Sequence, residues 1–274
     1  MRGRPGRRSH ADGGAGSIPA GAGRTLGRAA VDPAPVDRRL YLPEQTWCQD
    51  AERRSGSGIP EAVDFAIKPR LAGRMIVAAL AAGVPARWVT GDEVYGQDPQ
   101  LRSTLEELGV GYVLAVACSS RVSVNKDRTT MRADHVASRL PAQVWQRHSA
   151  GVGAKGPRYY DWARVETGAD QHGGLLIRRN PDTGELAFYL CWSPRTVPLS
   201  ALVRVAGIRW CIEECFQAAK GQVGLDHYQV RHWTSWHRHI TLTMLALAFS
   251  PPWPLQPPRT DPPTRRERPT TPST

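Results

Sequence analysis

The sequence predicts an α/β fold, a sheet with helices on its faces followed by a stretch of further strands. Three observations carry this. Residues 69–117 alternate helix, strand, helix, strand, a pattern that places helices on the faces of a sheet. Residues 118–197 hold short apolar runs separated by turn residues and read as further strands. Around Arg209–Lys220 there is an uninterrupted helical run, with Leu202, Val205, Ile212, Phe216 and Ala219 recurring near the helical period.

The totals bound the function. The chain has 274 residues, enough for one large domain or two small ones, and a formal net charge of +11. That basic excess points to a polyanionic partner, most simply nucleic acid. The five cysteines are scattered and odd in number. They form no disulfide framework, so a reducing cytoplasm fits. Cys211 and Cys215, four apart on one helix, read as small buried residues rather than a zinc site. No apolar run is long enough to cross a membrane, and the Arg-rich N-terminus has no apolar segment of a secretory signal.

Taken in order, residues 1–35 carry eight Gly, four Pro and six Arg and read as a disordered basic tail. Residues 36–249 form the folded domain. A short strand is expected over 36–43, then a polar loop over 48–60. Helices are expected at 69–82, with Pro69 in the first turn and Gly83 as stop, and at 98–109, with Asp98 as cap. Strands are expected at 86–92 and 111–117. Within 118–197, residues 132–140 read as a short helix and 157–165 as a strand. The runs 175–179 and 186–190 flank Asn180-Pro181-Asp182-Thr183-Gly184, a hairpin signal. Residues 225–249 read as helical, with Leu242, Met244, Leu245, Leu247 and Phe249 as core. Residues 250–274 form a second tail, with nine prolines between 251 and 274.

Two acids stand out. Asp92 falls at the C-terminal end of a strand, where open α/β sheets collect ligands; an Asp there also serves as a turn cap. Glu93 follows on the opposite face of an extended chain, which favours Asp92. Glu213 lies four residues after Arg209 and seven before Lys220. All three share one helix face. A carboxylate held between cations suits a metal or phosphate site, and it equally suits an ordinary solvated ion pair. Within 118–197, Lys155, Arg158, Tyr159, Tyr160, Trp162, Arg178 and Arg179 mix cations with aromatics. They read either as phosphate contacts with base stacking or as half-buried strands with solvated arginines. The Gly-rich run before Lys155 lacks the spacing of a phosphate-binding P-loop.

The spacing Arg209, Glu213, Lys220 resembles that around the last catalytic carboxylate of insertion-sequence transposases of the DDE superfamily. Gly224-Leu225-Asp226, Gln229-Val230-Arg231, Trp233, Trp236 and Arg238-His239 continue the likeness. Gly91-Asp92-Glu93-Val94-Tyr95-Gly96 resembles the motif around the family's second catalytic Asp. Ala206 departs from the pattern, which often has Tyr three residues before the Arg. The resemblance implies a ribonuclease-H-like fold, a mixed sheet flanked by helices, with a β-rich insertion at about 118–197. It implies metal-dependent phosphodiester cleavage and strand transfer on DNA at transposon ends. Asp92 and Glu213 would be two of three carboxylates holding Mg²⁺ or Mn²⁺. Arg209, Lys220, Lys155, Arg158 and Arg231 would contact phosphate or DNA. The expected setting is cytoplasmic and nucleoid-associated, with a homodimer in a synaptic complex. No residue fills the role of the first carboxylate, because Asp12, Asp32 and Asp37 lie near Gly, Pro or Arg and not in an apolar strand. The expectation is therefore a domain incomplete at its N-terminus, and an impaired or inactive transposase. The alternative is a non-catalytic basic DNA-binding protein of the same fold.

Overall fold

The computed structural model describes residues 35–153, 156–168 and 172–249. Both predicted tails lie essentially outside these residues, and so does Lys155. The elements run α1 (Ala51–Gly56), α2 (Lys68–Ala81), β1 (Trp88–Gly91), α3 (Glu93–Gly96), α4 (Pro99–Glu107), β2 (Gly111–Val116), β3 (Arg121–Val124) and β4 (Thr129–Arg132). Then come α5 (Ala133–Ser138), β5 (Gln146–Gly153), β6 (Gly156–Glu166), β7 (Gly173–Arg179), β8 (Leu186–Trp192), α6 (Leu199–Val223) and α7 (Trp233–Phe249).

Six strands form one mixed sheet in the order β1-β2-β8-β7-β6-β5. Among the described residues only β1 and β2 pair in parallel, joined by α3 and α4. The other pairs are antiparallel, and β3–β4 is a separate hairpin. The expected mixed α/β sheet is therefore present. Its insertion strands are not a separate layer: β5–β8 extend the sheet outward from β2.

Alternation along the strands sorts the core into two faces. Val113, Ala115, Leu176, Tyr189 and Cys191 meet Leu202, Val203 and Val205 of α6. On the other face, Tyr112 and Leu114 pack with Ile76 of α2 and Leu101 and Leu105 of α4. Val116, Leu175, Ile177 and Phe188 pack there with α5 and β3. Every residue of β2 is buried, as expected of a strand covered on both sides. Helix α6 crosses its face from one sheet edge to the other, packing on β1, β2, β6 and β5. Gly207 permits this crossing, since a Cβ there would overlap the Ala150 carbonyl of β5.

Several expectations need correction. Residues 36–43 form no strand, only isolated single-residue bridges at Pro35 and Arg39. The polar loop contains α1, capped by the Asp50 side chain on the Arg53 amide. The β3–β4 hairpin turns through Asn125, Lys126 and Asp127, all at positive φ. That conformation suits Asn and Asp but is rare for Lys, so it left no clear turn signal. Residues 225–232 are not helical. The end of α7 is not core: Leu242, Leu245 and Phe249 are 66%, 49% and 86% exposed, while Trp236, Ile240 and Thr243 face inward. Cys211 is exposed and Cys215 only partly buried.

Candidate active site

Asp92 follows β1 directly, at the C-terminal end of the parallel β1–β2 pair. Its backbone is still extended, and its Oδ1 accepts from the Val94 amide at 2.9 Å, capping α3. The second carboxylate oxygen takes no hydrogen bond among the described residues. The cap reading is thus correct and leaves half of the carboxylate available. The α3 turn is pressed onto the end of β2, because a Cβ at Gly96 would overlap the Ala115 carbonyl. Burial, and then the nearby Asp92 charge, push the Tyr95 hydroxyl above its ordinary pKa. Glu93 opens the α3 turn and is exposed. It therefore does not lie on an extended strand, as the sequence argument had it.

Glu213 sits mid-way along α6, its side chain 63% exposed and 3.7 Å from Arg209 Nη2. Lys220 is exposed and forms no ion pair with it among the described residues. Seven residues are about 10 Å along a helix axis, which explains the gap. Its neighbour Glu214 points elsewhere and accepts a hydrogen bond from Trp210 Nε1 at 2.8 Å.

The cationic candidates divide. Arg231 is exposed. Arg158 is partly buried and donates to the carbonyls of Ala150 at 3.0 Å and Gly207 at 3.5 Å, tying β5 to α6. Its guanidinium lies 4.8 Å from the Trp210 ring centroid. Two further stacks, Arg178 on Tyr160 at 4.6 Å and Arg179 on Trp145 at 4.2 Å, line the insertion strands. Asp161 bridges Arg147 and Arg179 at 2.7 and 3.2 Å. The hydrogen bond from Arg147, reinforced by Arg179, holds the Asp161 carboxyl below the usual range. This network was not legible beforehand, because it depends on the register that sets Asp161 opposite both Arg147 and Arg179.

The structure thus lays the helix that carries Glu213 on the strand that Asp92 follows. Hard carboxylate oxygens suit Mg²⁺ or Mn²⁺. Yet among the described residues no three His, Cys, Asp or Glu side chains gather as a metal site. Asp37, set aside for the first-acid role on its sequence setting, accepts from the neighbouring Arg38 amide. The ligand set of a complete two-metal centre is not present in these residues. No described helix is long and apolar enough to cross a membrane.

No curated protein matches the sequence. The family model described as DDE superfamily endonuclease matches residues 28–167. That stretch runs from before α1 through β6 and includes Asp92, while α6 with Glu213 lies beyond it. With half of the chain matched, and with an acid at the end of a parallel strand pair, the protein belongs to the DDE superfamily endonucleases.

Proposed function

We propose that the chain is a transposase-type endonuclease that cleaves phosphodiester bonds at transposon ends and supports strand transfer. Asp92 and Glu213 would hold Mg²⁺ or Mn²⁺ as two of three carboxylates. The carrying observation is Asp92 at the C-terminal end of the parallel pair, with the Glu213 helix packed on that same pair. When bound, the ions would activate the attacking hydroxyl and stabilise the leaving oxygen. Arg209 would orient the Glu213 carboxylate, and Lys220, Lys155 and Arg231 would meet phosphate. Arg158, already engaged with two carbonyls and Trp210, reads better as a support of α6 than as a phosphate contact. The partner is DNA, bound by a homodimer in a synaptic complex within the cytoplasmic nucleoid.

Among the described residues no three acids gather as a metal site, which fits an impaired enzyme and one second reading: a basic DNA-binding protein that keeps the fold without the chemistry. Both readings give DNA affinity that falls steeply with salt. A supercoiled plasmid bearing transposon ends, incubated with protein and Mg²⁺ or Mn²⁺, separates them. Metal-dependent nicking lost in Asp92→Asn and Glu213→Gln supports the nuclease. Nicking retained in both variants overturns the site, and binding without nicking supports the second reading.

A further inference from the structure

We propose that Cys211 and Cys215 form a two-thiol chelating site on α6, suited to a monosubstituted trivalent arsenical. The inference stands apart from the nuclease reading, since these residues lie about 160° around the helix from Glu213 at 3.6 residues per turn. The two cysteines are one turn apart within an unbroken helix and neither is in a disulfide. Side chains at this spacing leave the helix about 5–6 Å apart at Cβ, and both point along the same stripe. Two thiols can therefore close on one atom without moving the backbone. Cys211 is exposed, so a reagent reaches the pair from solvent.

The ligand class follows from the donor count. Thiolates select soft, thiophilic centres. A structural zinc site needs four ligands, and no third His, Cys, Asp or Glu joins these two among the described residues. A monosubstituted trivalent arsenical takes two sulfurs. Each As–OH bond is replaced by an As–S bond, and the thiol proton leaves with the hydroxyl as water. Nothing is oxidised or reduced. The Arg158–Trp210–Glu214 set adjoins Cys211, which makes Trp210 a reporter of occupancy.

The test is titration of the reduced full-length chain with phenylarsine oxide, followed by intact mass and tryptophan fluorescence. A single adduct that survives excess glutathione, is stripped by a dithiol and quenches or shifts the fluorescence is the expected result. Cys211→Ser and Cys215→Ala should each hold the reagent about 100-fold more weakly, the loss of a second intramolecular thiol. Cys118→Ser should behave as wild type. A wild-type adduct removed by glutathione overturns the proposal, as does an unchanged adduct in either α6 variant. Far-UV circular dichroism of the variants separates loss of the site from loss of the helix.

Discussion

Arg158 lies across Trp210, its guanidinium carbon 4.8 Å from the ring centroid, and donates to the carbonyls of Ala150 and Gly207. One side chain thereby fastens an edge strand to the helix that carries Glu213. Removing it strands two carbonyls and a stack. Arg158→Ala should cost about 1–3 kcal/mol. Arg158→Lys should recover little of this, because an ammonium cannot span both carbonyls while lying flat on a ring. Thermal unfolding checks it. A wild-type midpoint with lost DNA binding would make Arg158 a phosphate contact instead.

Gly207→Ala sets two effects against each other. Alanine favours a helix interior by about 1 kcal/mol. The added Cβ, however, would overlap the Ala150 carbonyl, which is backbone and cannot swing away. Overpacking of this kind costs about 1–3 kcal/mol or more, so the variant should be destabilised on balance. Denaturant unfolding of wild type and variant measures the sign.

Asp92 has a structural and a chemical role that different substitutions separate. Asn is as good a cap as Asp, whereas Ala is not. Asp92→Asn should keep wild-type stability and lose metal-dependent nicking. Asp92→Ala should lose nicking and about 1 kcal/mol of stability. Equal stability losses in both would show that the cap hydrogen bond to Val94 is not what the side chain contributes.

Asp161 should make stability pH-dependent. Its folded carboxyl is depressed from 3.8, first by the Arg147 hydrogen bond and then by Arg179. The contribution is present above the unfolded value and lost as pH falls through the folded one. Arg147 is 56% exposed, so screening by solvent keeps the gain small. Asp161→Asn should therefore be less stable than wild type at neutral pH. The difference should vanish in strong acid. Urea unfolding across the acid range tests this, and a constant difference would exclude the ion pairs as its source.

The sequence alone determined the elements whose signals are local. Helices at Lys68–Ala81 and Pro99–Glu107, strands at Trp88–Gly91 and Gly111–Val116, and the Leu175–Leu190 hairpin were legible. They were legible because periodicity, caps and turn residues act within one stretch of chain. Asp92 at a strand end was legible for the same reason. Only the tertiary structure decided which strands pair and which cations are already occupied. Strand order joins β2 to β8, residues far apart in sequence, and register alone sets Asp161 against two arginines. The apolar end of α7 looked like core by composition, yet Leu242 and Phe249 face outward while Trp236 and Ile240 form the buried stripe. Hydrophobicity says that a side chain gains from burial, but whether a neighbour arrives to bury it depends on contacts between distant segments.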